Sequence, residues 1–335
     1  MRKLVWITVL VTAAWCAWWI TASIGMRASI AAWLETRTAE GWQAETSGIT
    51  GGGFPGTLRA GLTDLTLADP QAGIAIETAA LNISARAWWP GDVSVTLDDG
   101  PILLASPLGR STLTMDGSVM SLNLHPGTAL ELEALGWTAG TWNLANASGT
   151  VVQAQDLTLT VTQTQGATYE LLAQASGFAP GEAIRKQLRM ANTIPPTFDS
   201  LQLKATVTFD TEWDSRALDK RRPQPRNISL HLAEARWGDL KLNFAADLVV
   251  DVNGTPEGTL AIQAQNWRAM LDLAEAAGKL SRARRQQSEG ILQALAQASG
   301  NPETLDVTLS LGDGAIKLGL SRSCPAPGCF CVRYL

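Results

Sequence analysis

Leu201-Gln202-Leu203-Lys204-Ala205-Thr206-Val207-Thr208-Phe209 alternates apolar and polar side chains without a break. Successive side chains of an extended chain point to opposite faces. The stretch therefore predicts a strand with one apolar and one polar face, the pattern of antiparallel sheet. The alternation returns in Leu157-Thr158-Leu159-Thr160-Val161, and in Leu305, Val307, Leu309 and Leu311 around Asp306, Thr308 and Ser310. Ile316, Leu318 and Leu320 follow Gly312-Asp313-Gly314. Asp99-Gly100, Asn253-Gly254 and Asp313-Gly314 lie between such runs and read as hairpin turns, whose central positions need positive φ. From about residue 57 onward the chain is expected to be mainly β.

Helical pattern is scarcer. Gly181 to Asn192 predicts a short helix, and Trp267 to Leu280 and Ser288 to Ser299 predict longer ones stopped by Gly278 and Gly300. Met270, Leu271, Leu273 and Ala274 are spaced for one buried face. The basic stretches Arg216 to Arg226, with Pro223 and Pro225, and Arg282 to Arg285 read as solvated loops.

At the other end, Leu4 to Ile24 holds 21 residues and no charge. At about 1.5 Å per residue it spans roughly 30 Å, the hydrocarbon thickness of a bilayer. Leu4, Trp6, Trp15, Trp18, Trp19 and Ile24 are its expected anchor residues, with the indoles suited to a membrane interface. Thr21-Ala22-Ser23 offers a cleavage point, but a signal peptide's apolar run is shorter, about 7 to 15 residues, which favours a retained anchor. Arg2 and Lys3 precede the run, so the N-terminus is expected in the cytoplasm and the bulk of the chain in the periplasm. Arg27 to Gly41 continues as a helix, with Ile30, Trp33 and Leu34 on one face.

Composition excludes some roles. The net charge of -5 falls to -7 once the positive Arg2 and Lys3 are set aside, so nucleic acid is not an expected partner. His125 and His231 stand alone, which argues against a histidine triad or metal site, and no cofactor is expected. Asp98-Asp99 and the pair Glu131 and Glu133 read as turn and strand-surface carboxylates. Gly51-Gly52-Gly53 lacks the Lys-Ser/Thr of a phosphate loop. Cys16 is an apolar filler or a lipidation site within the anchor. In an oxidising compartment, a disulfide from Cys324 to either Cys329 or Cys331 leaves one thiol over. The protein is not expected to be an enzyme.

Two regions carry a family resemblance. One is Gly41-Trp42 with Gly51-Gly52-Gly53-Phe54-Pro55. The other runs from Trp237-Gly238 through Asn253-Gly254-Thr255-Pro256-Glu257-Gly258 to Asn266-Trp267, followed by Leu- and Ala-rich helices and a terminal hairpin. Together they resemble the bacterial domain-of-unknown-function family 2125, with Gly41, Trp42, Gly53, Phe54, Pro55, Gly254 and Gly258 as its motif residues. More distantly, the strand, glycine turn, strand, Asn and helix order is similar to the C-terminal part of AsmA-like envelope proteins. That likeness implies long curved antiparallel sheets with an apolar trough that accommodates lipid. The tail from Ser321 to Cys331 departs from the expected ending.

The expected organisation is a transmembrane anchor over 1–25, a juxtamembrane helix over 26–45, a β-rich periplasmic domain over 46–321 and a Cys-containing tail over 322–335. Inner-membrane lipid is the expected partner, envelope phospholipid the expected ligand, and other envelope proteins the alternative.

Overall fold

The computed structural model describes residues 2–127, 129–187, 195–218, 222–312 and 315–319. Twenty strands and four α-helices lie among them. The chain is mainly β, begins with a long apolar helix, and pairs its strands antiparallel. It divides into two compact units, Met1–Gln163 with Ala179–Ala183 and Glu212–Arg222, and Thr164–Phe178 with Ile184–Thr211 and Pro223–Leu335.

The first unit starts with α1 (Arg2–Ala39), which runs unbroken through the predicted anchor and most of the predicted juxtamembrane helix; the last residues of that prediction, Gln43–Glu45, are instead strand, paired with a later one. Gly41 at φ +93 ends it. The Gly41 N–H donates to the Thr38 carbonyl and the Trp42 N–H to the Arg37 carbonyl, both at 3.0 Å, closing the helix with a left-handed glycine cap. There follow β1 (Gln43–Glu45), β2 (Gly48–Gly52), β3 (Thr57–Asp69), β4 (Ile74–Arg86), β5 (Trp89–Leu97), β6 (Ile102–Ser106), β7 (Gly109–Met115), β8 (Val119–Leu124), β9 (Leu132–Ala139), β10 (Trp142–Asn146), β11 (Gly149–Ala154) and β12 (Leu157–Gln165). Next in the chain, β13 (Thr168–Ala175) belongs to the second unit and β14 (Ala179–Pro180) to the first.

The sheet of the first unit forks at β4. Leu81–Arg86 pairs with β5, whereas Ala75–Glu77 pairs with β6. One branch continues β5–β8–β9–β12 and the other β6–β7–β10–β11–β14. Asp99-Gly100 is therefore not a hairpin turn but the crossover between two branches. Its turn chemistry is local, while strand pairing is decided by the two halves of β4. Apolar residues align across the first branch, as in Ala60–Ile83–Val95–Met120–Trp137–Leu159. Ile30, Trp33 and Leu34 of α1 pack on the start of this face, against Leu62, Leu65, Leu81 and Ile83.

The second unit is a meander. After the short α2 (Glu182–Gln187), β15 (Ser200–Phe209) pairs with β13 and with β16 (Pro225–Trp237). β17 (Leu240–Val250), β18 (Pro256–Gln265), β19 (Thr304–Gly312) and β20 (Ala315–Gly319) then add in order. Between β18 and β19, α3 (Trp267–Ala276) and α4 (Arg282–Ala298) cross one face. The basic run Arg282 to Arg285, predicted as a loop, is the first turn of α4. Ser281 caps it by accepting from the Arg284 N–H, and Arg285 is held by Asp272, Glu275 and Glu289. At the other basic stretch, Arg216 lies in a 3-10 turn and bonds Asp214, while Pro225 and Arg226 already belong to β16.

Candidate functional site

Strand register makes the second unit's surface two-sided. One row of partners runs Leu171–Ala205–Leu230–Ala246–Leu260–Leu309, and the next runs Ala173–Leu203–Ala233–Phe244–Ile262–Val307. On the opposite face, flanking the first row, lies Glu170–Thr206–Ser229–Asp247–Thr259–Ser310, while the residues between the two apolar rows are mixed, with Leu172 paired to Lys204 and Ala261 paired to Ala245 and Thr308. Period-two alternation thus sums over six strands into one apolar and one mixed, more polar surface. Helices α3 and α4 cover the apolar surface at its β17–β19 end, where Trp267, Ala296, Ala264, Leu305 and Val307 are buried together. Towards β13, β15 and β16 that cluster stops and burial is uneven: Leu203 is 36% exposed and Leu201, Leu230 and Ala233 are half-buried, whereas Tyr169, Ala205 and Val207 on the same face are buried.

Local chemistry sets this geometry. Asp251 Oδ1 accepts from the N–H groups of Asn253 and Thr255, building the β17–β18 turn around Gly254 at φ +85. Those backbone donors hold the Asp251 carboxyl below the usual range. Gly258 sits at φ +143 with no room for a Cβ beside the Asp247 carbonyl. Asn266, at φ 58, turns the chain from β18 into α3, a conformation that Asn tolerates better than most residues. Trp237 stacks on Phe198 at 4.4 Å and donates to the Pro195 carbonyl.

In the first unit the apolar half of α1 carries Leu4, Trp6 and Ile24 exposed. Trp15 and Trp19 are half-buried and Trp18 is exposed, but all three are bonded. Their indole N–H groups donate to the carbonyls of Pro55, Ala87 and Thr57 at 3.2, 2.9 and 2.8 Å. The three indoles lie at helical spacing on one side of α1, against the β2–β3 turn and the end of β4. Gly53 at φ +99 leaves no room for a Cβ beside Thr57, whose N–H returns to the Gly53 carbonyl at 2.9 Å. Phe54 packs edge-on against Trp19 at 5.3 Å yet stays 55% exposed, and Trp88 is 61% exposed. Sequence reasoning marked Phe54 and Pro55 as motif residues and passed over Ala87 and Trp88. The paired indole positions were its available signal.

Polar groups are dispersed. His125 meets Gln163 at 2.6 Å, and His231 meets Thr206 at 2.8 Å beside an irregularity in β16. A cleft of about 250 Å³ opens at the fork, between Asp64–Thr66, Glu77–Ala79, Pro101 and Leu103. Among the described residues no three His, Cys, Asp or Glu side chains are grouped to hold a metal. Cys16 is half-buried and free, whereas Cys324, Cys329 and Cys331 lie outside the described residues.

One carboxylate on the polar face carries a pH prediction. Ser200 Oγ donates to Glu234 at 2.5 Å and Lys241 Nζ lies 2.9 Å away, so the carboxyl is held below its ordinary 4.5 against the opposing effect of burial. A folded pKa below the unfolded one adds stability that is full above about pH 4.5 and vanishes as the pH falls through the folded value. The wild type is expected to lose melting temperature more steeply than Glu234→Gln on acidification below pH 4.5. Parallel melting curves against pH would show that the bond contributes nothing.

The profile of the family described as "Uncharacterized protein conserved in bacteria (DUF2125)" matches residues 19–327, which includes every motif residue from Gly41 to Gly258. No curated protein and no solved structure is similar at a significant level. Matched over nearly its whole length, with the glycine turns and indole contacts inside the match, this chain belongs to the bacterial family DUF2125.

Proposed function

We propose that this protein is a single-pass inner-membrane protein with its β-rich body in the periplasm, and that the apolar face of the second unit holds phospholipid acyl chains. It does no chemistry on them. The carrying observation is the set of apolar rows crossing six strands, which α3 and α4 cover at one end and which leave Leu203 exposed and Leu201, Leu230 and Ala233 half-buried at the other. Apolar surface left in water costs about 25 cal/mol per Å², and an acyl chain laid across the face removes it. The helix α1 is long and apolar enough to cross a membrane, a property a signal sequence shares. Its length, and Arg2 and Lys3 at its start ahead of the uncharged run, support an anchor with a cytoplasmic N-terminus. The likeness in element order to AsmA-like envelope proteins supports the same reading.

The test is lipid retention. The full chain, extracted in mild detergent and washed, is expected to carry phospholipid detectable by mass spectrometry. Leu203→Glu puts a charge into the apolar rows and is expected to lower retention about fivefold or more. Val249→Glu, on an exposed side chain of the opposite face, is expected to leave it unchanged. Equal retention by all three chains, or none by the wild type, defeats the lipid reading. A reproducible protein crosslink without lipid would instead favour an envelope scaffold.

A further inference from the structure

We infer that the β2–β3 turn and the β4–β5 junction, bearing Phe54 and Trp88, are embedded in the periplasmic leaflet of the membrane as a second contact beside the anchor. The inference rests on the reading of α1 as an anchor and deepens it.

The argument is one of lengths. Trp15, Trp18 and Trp19 bond the turn backbone at Pro55, Ala87 and Thr57, so these carbonyls share the depth of that helical turn. If the turn stood outside the bilayer, only Leu4 to Ala14 would remain to cross it. Those 11 residues reach about 17 Å, whereas the hydrocarbon core needs roughly 30 Å. If the whole uncharged run to Ile24 crosses, Trp18 lies about 9 Å beneath its outer end, and the turn lies there too. Tilting α1 shortens its reach across the bilayer and strengthens the argument.

The turn is chemically fitted to that depth. A backbone carbonyl in hydrocarbon finds no water, so it needs an internal donor. Pro55, Thr57 and Ala87 obtain theirs from the three indoles, and Gly53 and Gly56 from the N–H groups of Thr57 and Ala87. Pro55 and Pro90 have no N–H to satisfy. The exposed rings of Phe54 and Trp88 would face acyl chains. Arginines follow one level higher: Arg27 lies three residues beyond Ile24, and Arg59 lies two residues beyond Thr57 in β3, whereas Arg86, opposite Thr57, is paired with Asp92 at 2.7 Å and lies 5.9 Å over the Trp88 ring. The guanidinium groups of Arg27 and Arg59 would reach towards the lipid phosphates, and Asp92 neutralises that of Arg86. The far ends of β3 and β4 lie about 40 Å along the strands from Thr57 and Arg86, at about 3.3 Å per residue.

Depth-dependent quenching tests this. Cys16, Cys324, Cys329 and Cys331 are changed to Ser, and single cysteines are introduced by Phe54→Cys, Trp88→Cys and Leu108→Cys. Leu108 is fully exposed, in the turn after β6, whose strand pairs the far half of β4. Each full-length chain is labelled with a small fluorophore and reconstituted into phosphatidylethanolamine–phosphatidylglycerol vesicles containing lipids brominated along the acyl chain. Quenching at 54 and 88 is expected to exceed that at 108 about threefold or more. Two positions guard against a folding defect at one. If the chain resists carbonate extraction but 54 and 88 are quenched no more than 108, the inference is overturned and the anchor stands. If carbonate releases the chain, both readings fall.

Discussion

Gly258→Ala is expected to destabilise the second unit by about 3 kcal/mol or more, among the larger effects a single methyl group produces. Gly258 stands in β18 opposite Leu248, at φ +143, and an added Cβ would overlap the Asp247 carbonyl oxygen. That obstacle is backbone, which cannot swing aside as a side chain would. Relief requires opening the β17–β18 ladder at this end, or twisting φ away from a region that L residues rarely occupy. Gly254→Ala is the natural comparison. It too has positive φ, +85, but nothing lies within 4 Å of its added Cβ, so only the conformational cost of about 1 kcal/mol applies. Thermal unfolding of the detergent-purified chain should place Gly258→Ala roughly 6–12 °C below wild type, and Gly254→Ala a few degrees below. Equal midpoints for the two variants would mean that the close approach to Asp247 is not what requires glycine.

Trp267→Ala is expected to cost about 3–5 kcal/mol, the range for deleting a buried aromatic ring. Trp267 is 2% exposed, its indole N–H donates to the Pro302 carbonyl at 3.1 Å, and the Arg268 guanidinium lies 4.4 Å over the ring. The ring joins β18 to α3 and α4, so its removal leaves Ala264, Leu305 and Val307 without their cover. Trp267→Phe keeps most of the buried area and loses the hydrogen bond, a loss of about 1 kcal/mol. The ranking wild type, Phe, Ala in melting temperature is the expected result. Faster hydrogen exchange in α3 and α4 of the Ala variant should accompany it. A Trp267→Ala chain that melts with the wild type would show that the two helices are held by something other than this core.

Much of this architecture is legible in residue order. Alternation in Leu201 to Phe209 names the side chains that share a face, because the two-residue period is a property of extended backbone wherever the strand ends up. Gly41 and Trp42 could be read as a helix stop, because a left-handed glycine cap involves only neighbouring residues. The candidate surface is legible in the same degree. Its apolar membership follows from alternation, but its exposed portion does not.

What residue order left open turns on contacts between distant segments. Asp99-Gly100 has hairpin chemistry, yet β5 and β6 bind different halves of β4, which no dipeptide encodes. The first turn of α4 looked like a solvated basic run, and it is held as helix by Asp272 and Glu275 from α3 as well as its own Glu289. The sequence by itself determined the apolar helix, the strands and the side chains on each face, since each depends on local periodicity. Only the tertiary structure decided that the sheet of the first unit forks, that α3 and α4 cover one end of the apolar face in the second, and that three indoles clasp the turn carrying Phe54 and the junction carrying Trp88. Those outcomes are set by non-local pairing, where each strand, helix and indole takes the partner that best satisfies its backbone groups and buries its apolar area.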